Sequence, residues 1–359
     1  MSQLLMTPGP TNIPIRAINK MLEAFSIHHR SKEYSLMYKK FNDNLKHVFQ
    51  TKNEIITLPS SGTGGLESSI LNLLNENDKV LFISVGVFGD RFKQMGELNN
   101  LDIDFLEIER GRGFYLDEVK KVLKKEHKAV IVTHNETSTA VTNDIKSLSK
   151  LVKEEDRLLI VDAVSSLGAI DIKMDEWKID VLITGSQKSL MSPAGMCFVG
   201  LSDKAIDLCK KNKRKTYYFD YISALEYLKG DYPKNPYTPP VQLIACCLES
   251  LNMIKEEGLK NTFKRHENLA KYIRQELTKR DYEFYTHKDF YSNTLTAIKI
   301  KEENACDIQG FIKKKHNIYI ATGQQDLKNK IIRIGHMGNV NKDMIDRTLN
   351  AFDDYNKKK

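Results

Sequence analysis

The middle of the chain alternates short runs of aliphatic, β-branched residues with longer stretches in which apolar and polar residues recur at helical spacing. The apolar runs predict six strands, over residues 79–85, 102–106, 129–133, 158–162, 181–184 and 196–200. The stretches between them predict helices, among them 65–74, 116–125 and 145–154. Strands that alternate with helices are typical of a mostly parallel sheet sandwiched by helices, so we predict an α/β fold.

The pattern changes at residues 232–240, where four of nine residues are proline. Prolines at this density interrupt any helix. After them we predict a long helix over 241–257, a helix near 265–280, a strand near 295–301, a helix near 305–315, a strand near 331–334 and a final helix. The sequence therefore predicts a large α/β domain, residues 16–245, and a small C-terminal α+β domain, residues 246–359.

Composition adds limits on where and how the protein works. The chain has 359 residues, of which 41% are hydrophobic and 28% charged, as in ordinary globular proteins. No apolar run approaches the roughly 18–20 residues of a membrane span. The N-terminus has no basic, apolar leader, so we expect a cytoplasmic protein and no membrane partner. The five cysteines, an odd number without a CxxC pair, predict neither disulfides nor a metal site.

The net charge of +8 is concentrated in basic clusters at residues 210–215, 313–315 and 357–359. Such clusters can bind nucleic acid, but no aromatic residues interleave with them and no zinc-finger spacing accompanies them. We therefore interpret them as solvated helix ends and expect no nucleic-acid partner.

Three polar segments follow predicted strands, where ligands bind in open α/β sheets. Residues 60–67, Ser-Ser-Gly-Thr-Gly-Gly-Leu-Glu, could cradle a phosphate at a helix N-terminus or could simply cap that helix. Asp162 ends an apolar strand, where a carboxylate needs a partner or caps the next helix. Lys188 follows another apolar strand and could be a desolvated amine nucleophile or an ordinary solvated lysine.

Together these three segments are more specific than any of them alone. Pyridoxal phosphate needs an anion site for its phosphate, an acid beside its pyridine nitrogen and a lysine for its Schiff base. A phosphate-binding loop, then Asp162, then Lys188 provides this set in one chain. The order predicts a pyridoxal phosphate enzyme.

The sequence resembles the class V aminotransferases of fold type I, and most of all the serine/alanine–glyoxylate (serine–pyruvate) aminotransferase family. The matching segments follow one another in family order and span most of the chain: 7–12 (TPGPTN), 28–31 (HHRS), 61–64 (SGTG), 133–139 (THNETST), 161–168 (VDAVSSLG), 185–188 (GSQK), 237–239 (YTP) and 333–335 (RIG).

The resemblance implies roles for individual residues around pyridoxal 5'-phosphate. Lys188 would form the Schiff base, and Asp162 would keep the pyridine nitrogen protonated. The remaining contacts would be made to the phosphate by Ser61, Gly62, Thr63, Gln187 and the partner subunit's Thr238, to the ring face by Phe88, and to the region of the phenolic oxygen by Thr137. Many relatives carry Trp where this chain has Phe88, so the ring face is kept and the indole N–H is lost.

The resemblance also implies the reaction and the assembly. Arg333 would bind the substrate carboxylate as a two-pronged fork, and the segment that includes Asn12 would line the substrate pocket. Residues 1–15 would lie near the active site and the interface of a homodimer. The expected reaction is transamination between serine or alanine and a 2-oxo acid, glyoxylate or pyruvate.

Three alternatives remain open on the sequence. A 2-aminoethylphosphonate–pyruvate transaminase shares the Thr-Pro-Gly-Pro opening and the Asp/Lys arrangement. A cysteine desulfurase would need a mobile nucleophilic cysteine, and Cys306 begins a predicted helix instead. A noncatalytic binding protein on this fold would be expected to lose Lys188 or Asp162, and both are present.

Overall fold

A seven-stranded sheet forms the centre of the protein, seen in a computed structural model that describes residues 3–213, 216–301 and 304–358. Its strand order is β2-β10-β9-β8-β5-β3-β4, and only β10 runs antiparallel to its neighbours. The strands of this sheet are β2 (Ile55–Leu58), β3 (Lys79–Ser84), β4 (Asp102–Glu107), β5 (Ala129–Thr133), β8 (Leu158–Asp162), β9 (Val181–Gly185) and β10 (Cys197–Leu201). The predicted α/β fold with a mostly parallel sheet is confirmed.

The central strands are buried on both faces, which is why they consist of unbroken apolar runs. Every residue of β5, β8 and β9 is buried. Two apolar clusters pack on the sheet; for example, Val161 belongs to one cluster and Ile160 to the other. A side-chain period of two sends neighbouring residues of a strand to opposite faces, so both faces need apolar residues.

Twelve α-helices surround the sheets in the described part of the chain. They are α1 (Ile15–Glu23), α2 (Lys32–Phe49), α3 (Gly62–Leu73), α4 (Val87–Leu98), α5 (Leu116–Val122), α6 (Ile145–Glu154), α7 (Asp203–Lys211), α8 (Tyr221–Tyr227), α9 (Val241–Glu257), α10 (Leu259–Thr278), α11 (Ala305–His316) and α12 (Lys342–Asn356). None of the described helices is long and apolar enough to cross a membrane.

Helix ends differ from the sequence prediction at several places. Helix α3 begins at Gly62 rather than at residue 65, because its glycines are already helical directly after Ser61. Helix α5 ends at Val122, where Leu123 turns to extended backbone, so the prediction to residue 125 was too long. Helix α10 begins at Leu259, immediately after the positive φ of Gly258 that ends α9.

A second, four-stranded sheet has the order β1-β12-β13-β11. Its strands are β1 (Leu4–Met6), β12 (Ile318–Thr322), β13 (Ile331–Gly335) and β11 (Leu295–Lys299), and the short β6 (Asn135–Glu136) pairs with β7 (Val141–Thr142) elsewhere. The sequence predicted β11 and β13 but not β1 or β12. Both missed strands are short, and β1 forms only because it pairs in parallel with β12 more than 300 residues away in the chain.

The lysine clusters lie where the sequence placed them. Lys210 and Lys211 end α7, and residues 313–315 are in the last turn of α11. Lys357 caps the C-terminus of α12, and cations at such ends complement the helix dipole. Arg214, Lys215 and Lys359 of the same clusters lie outside the described residues.

Candidate active site

The phosphate-type loop lies between β2 and α3, at the edge of the sheet where the parallel strands end. Ser61 is the N-cap of α3, and its side chain makes no capping hydrogen bond. Its hydroxyl and the N–H groups of the first helical turn therefore remain for another acceptor. A Cβ atom at Gly62 would lie 2.7 Å from Val164 Cγ2, so only glycine lets the loop pack this closely on the segment after β8.

Asp162 ends β8, and its side chain is almost completely buried. Its Oδ1 accepts a hydrogen bond of 2.9 Å from the N–H of Val164. Burial raises the pKa of Asp162 to about 6, and the nearby carboxylate of Glu136 adds to this rise. A buried carboxylate in this position would be stabilised by pairing with a cation, such as a protonated ring nitrogen.

Lys188 lies in the turn after β9, and hydrogen bonds connect this turn to the N-terminal segment. Its Nζ donates to the carbonyl oxygen of Pro8 at 2.6 Å. Thr11 donates from its N–H to Gln187 O at 3.2 Å and from its hydroxyl to Lys188 O at 2.9 Å. A Cβ atom at Gly9 would lie 2.6 Å from Lys188 Nζ, so the segment passes over the amine where a side chain would collide with it.

The electrostatic surroundings of Lys188 make its amine less basic than usual. Burial lowers the pKa of Lys188 to about 8. The carboxylates of Asp162 and Glu136 oppose this shift, and the guanidinium groups of Arg333 and Arg91 add to it. A substantial fraction of the amine is therefore unprotonated near neutral pH, as a nucleophile or general base requires.

A cavity of about 120 Å³ brings these segments together. Eight of the residues predicted from the sequence line it: Ser61, Gly62, Thr63, Phe88, Thr137, Asp162, Gln187 and Lys188. Gln187 Oε1 is buried and has no hydrogen-bond partner among the described residues. The lining thus offers hydrogen-bond donors for an anion, an amide side chain, an aromatic face, a carboxyl group and a primary amine. This set fits the groups of pyridoxal phosphate.

Arg333 lies in β13 of the small sheet, and its side chain is buried beside the cavity rather than in its lining. Its Nε donates to Thr322 O at 2.8 Å and its Nη1 to Thr137 O at 2.9 Å. Its Nη2 makes no hydrogen bond to any described residue. Burial lowers the pKa of Arg333 to about 10, and the charge of Glu136 counteracts this. The guanidinium edge with Nη2 is thus available to a carboxylate.

Two predicted contacts lie outside the cavity. The side chain of Asn12 is used within the N-terminal segment, where its Oδ1 accepts from Leu5 N at 3.0 Å and its Nδ2 donates to Leu5 O at 2.8 Å. Thr238 is exposed on the proline-rich segment. Tyr237 beside it stacks on Tyr218 with ring centroids 4.5 Å apart. The contact of Thr238 with the partner subunit's cofactor stays a prediction, since Thr238 is not among the residues that line the cavity of its own chain.

Four polar or charged residues that line the cavity or lie beside it received no role from the sequence: Arg91, Asn135, Glu136 and Ser165. Asn135 donates to Ser165 Oγ at 2.7 Å and to Thr294 Oγ1 at 3.0 Å, so it links the large sheet to the segment before β11. Asn135 and Glu136 stand inside the motif of residues 133–139, which was a usable signal. Nothing in the sequence indicated that Arg91 lies over the ring of Phe88, 4.9 Å from its centroid.

Cys306 is not among the residues that line the cavity. It lies in the first turn of α11, and its thiol donates to Asn329 Oδ1 at 3.1 Å. The position of Cys306 outside the cavity lining offers no support for a desulfurase.

Comparison with known proteins agrees with this geometry. The family model described as Aminotransferase class-V matches residues 4–343. An uncharacterized aminotransferase of Methanocaldococcus jannaschii is 39% identical over 94% of this chain and 88% of its own length. The serine–glyoxylate aminotransferase of Arabidopsis thaliana is 35% identical over 94% of this chain and 86% of its own length.

A solved structure gives the same result for the fold. The alanine–glyoxylate aminotransferase from Nostoc sp. superposes with a TM-score of 0.94, at 27% identity, over 99% of this chain and 95% of its own.

Proposed function

Because the chain belongs to the class V aminotransferase family and is a transaminating enzyme, we propose that it uses pyridoxal 5'-phosphate to move an amino group from serine or alanine to glyoxylate or pyruvate. The observation that carries this proposal is the single cavity in which the Lys188 amine, the Asp162 carboxyl group and the N-terminus of α3 meet. Glyoxylate is favoured as the acceptor by the serine–glyoxylate and alanine–glyoxylate relatives.

The residues of the site would have three roles: binding the cofactor phosphate, stabilising the ring nitrogen, and handling the substrate and its proton. Ser61, Gly62 and Thr63 would bind the phosphate, with Gln187 beside them. Asp162 would hold a proton on the ring nitrogen, because it is the acidic residue among those that line the cavity. When bound, the cofactor supplies an electron sink for the pair left by the broken Cα–H bond and stores the amino group between half-reactions.

Lys188 would move the proton. With the amino acid bound, the unprotonated Lys188 amine would accept the proton from the substrate Cα, and the resulting ammonium group would return a proton on the cofactor side of the transferred nitrogen. Its lowered pKa keeps part of the amine unprotonated for this step. Arg333 would hold the substrate carboxylate through Nη2 and the remaining hydrogen of Nη1, which fixes the Cα–H bond relative to Lys188.

We propose the domain division of residues 1–15, 16–245 and 246–359 and a cytoplasmic homodimer as the working form. Exposed apolar side chains on α1 and the turns after it, among them Ile15, Leu22 and Phe25, support an interface near the N-terminal segment. The partner subunit's Thr238 would then complete the phosphate contacts. Light scattering tests the dimer, and a fully active monomer would contradict it.

A panel of donors and acceptors tests the reaction. Serine, alanine, aspartate and 2-aminoethylphosphonate are each paired with glyoxylate and with pyruvate, and loss of the 2-oxo acid is followed. Serine or alanine with glyoxylate should be the fastest pair, and preference for 2-aminoethylphosphonate would establish the alternative transaminase. Purified protein should show the visible absorbance of bound cofactor, and K188A should lose both the bound-cofactor band and turnover. An enzyme that keeps turnover as K188A would refute the proposal.

A further inference from the structure

Glu136 is a fully buried carboxylate with four hydrogen bonds. Its Oε2 accepts from the N–H groups of Phe88 at 3.0 Å and Gly89 at 3.2 Å. Its Oε1 accepts from the N–H of Ser138 at 3.0 Å and from the Ser138 hydroxyl at 2.6 Å. Burial raises the pKa of Glu136, and these four hydrogen bonds oppose that rise by stabilising the charged form.

The carboxylate lies at the N-terminus of α4, although it comes from β6, about fifty residues later in the chain. Two of the first N–H groups of α4, those of Phe88 and Gly89, bind it directly. The N–H of Val87 binds the Ser138 hydroxyl at 3.0 Å, and that hydroxyl donates to Glu136. Glu136 therefore takes the place of an N-cap for α4, since the true N-cap residue, Gly86, has no side chain.

The approach of the turn before α4 to this carboxylate depends on glycine. A Cβ atom at Gly86 would lie 2.7 Å from Glu136 Cγ and 2.9 Å from Cδ. Contact with Glu136 thus fixes the position and the conformation of the first turn of α4.

Two site residues depend on the position of Glu136. Phe88, which lines the cavity, is bound to the carboxylate through its backbone N–H. Thr137 follows Glu136 in the chain, and its carbonyl accepts from Arg333 Nη1. The same carboxylate also acts on charges in the site: it favours the protonated forms of Lys188 and Arg333 and disfavours ionisation of Asp162.

We propose that Glu136 is a positioning residue for transamination, one that fixes Phe88 against the cofactor ring and the Thr137 carbonyl against Arg333, while its negative charge offsets the cationic groups of the site. The positioning part rests on the proposed function. The charge part does not, because it is measurable at Lys188 in the protein without cofactor.

The central variant is E136Q, which keeps the shape of the side chain and removes its charge. The amide nitrogen cannot accept, so at least one backbone N–H loses its acceptor and faces another donor. Three quantities are measured: the affinity of the apoprotein for pyridoxal phosphate, the pH at which the Lys188 amine becomes reactive toward acetic anhydride, and kcat and KM with serine and glyoxylate.

We expect E136Q to weaken cofactor binding by about 10- to 100-fold, which corresponds to the loss of one or two buried charged hydrogen bonds. We expect the Lys188 inflection to move to lower pH, because the charges that then face the amine are Asp162, Arg333 and Arg91 without the offsetting anion. We also expect kcat to fall together with a rise in the KM for serine.

A matched control is E118Q. Glu118 is likewise a carboxylate at a helix N-terminus, that of α5, where it accepts from Tyr115 N at 2.8 Å and pairs with Arg112, away from the cavity. This variant should leave all three quantities unchanged. A similar loss in E118Q would mean that helix capping in general, rather than the position of Glu136, is being measured, and would overturn the proposal.

S138A separates geometry from charge and serves if E136Q does not fold. It removes one donor and the link to Val87 while the carboxylate remains, so cofactor affinity should fall and the Lys188 inflection should stay in place. Unchanged affinity in S138A, or an unmoved inflection in folded E136Q, overturns the proposal. If the wild-type protein shows no transamination but E136Q moves the inflection, the proposed function fails and the charge role of Glu136 remains.

Discussion

The reactivity of the Lys188 amine is the most direct consequence of the site geometry that can be measured without cofactor. Burial and the guanidinium groups of Arg333 and Arg91 outweigh two carboxylates and leave its pKa at about 8, against 10.5 for an ordinary lysine. At pH 7 the unprotonated fraction of Lys188 is then about 300 times that of an ordinary lysine, since each pH unit is a factor of ten.

Competitive labelling of the apoprotein with acetic anhydride measures this pKa. Peptide mass spectrometry follows the rate of acetylation of Lys188 as a function of pH. Exposed Lys120 serves as the internal reference for the reactivity of the reagent. Restricted access of the reagent slows the absolute rate at Lys188 but does not move the inflection, which is expected at about pH 8.

Two variants test the direction in which each neighbouring charge shifts the pKa of Lys188. D162N removes an anion that favours the ammonium form, so the inflection should move to lower pH. R333Q removes a cation that disfavours it, so the inflection should move to higher pH. An inflection near 10 in the wild type, or one that neither variant moves, would refute the electrostatic account of the site.

Three further predictions follow from contacts around the cavity. G9A should weaken cofactor binding by at least about tenfold in an absorbance titration, because its Cβ atom would lie 2.6 Å from Lys188 Nζ. The control G230A is also at a positive φ but has nothing within 4 Å of its Cβ atom, so it should bind the cofactor normally. R333K should raise the KM for serine by about 10- to 100-fold, because lysine cannot form the two-pronged contact with a carboxylate. The control R280K, at the ion pair with Asp353, should leave this KM unchanged. Equal KM values in R333K and wild type would exclude the carboxylate role of Arg333. Burial raises the pKa of Asp162 from its ordinary value of 3.8 to about 6, so ionisation of this group opposes folding. The apoprotein should therefore lose stability relative to D162N as the pH rises from about 4 to 6, by up to about 3 kcal/mol in urea unfolding. A stability difference that stays constant over this range would contradict the raised pKa.

The sequence predicted those parts of the fold and site that leave a local signature. The strand 158–162 was predictable because burial on both faces demands an unbroken apolar run, and its terminal Asp162 was predictable because a carboxylate there is anomalous. Lys188 became significant only in combination with the loop at Ser61–Thr63.

What the sequence did not reveal depends on contacts between distant segments. The four bonds of Glu136 are set by how α4 meets the β6 segment, and no local pattern encodes that meeting. Arg91 lies over Phe88 because the two are three residues apart on α4, but their place at the cavity again depends on where α4 packs. The hydrogen bonds between the Asn12 side chain and the Leu5 backbone were not predictable for a related reason. A polar residue within a sequence motif does not indicate whether its side-chain amide faces a pocket or the backbone of its own segment.

The pairing of β1 with β12 has a consequence for the order in which the protein is completed during synthesis. The segment from Leu4 to Thr11 is made more than 300 residues before its strand partner, yet Leu4 pairs with Ile318 and the carbonyl of Pro8 must reach Lys188. Translation proceeds at about 5–20 residues per second, so this segment waits for tens of seconds for β12. The large sheet can assemble in that interval, but β1 can hold the Pro8 carbonyl at the Lys188 amine only after β12 has been made.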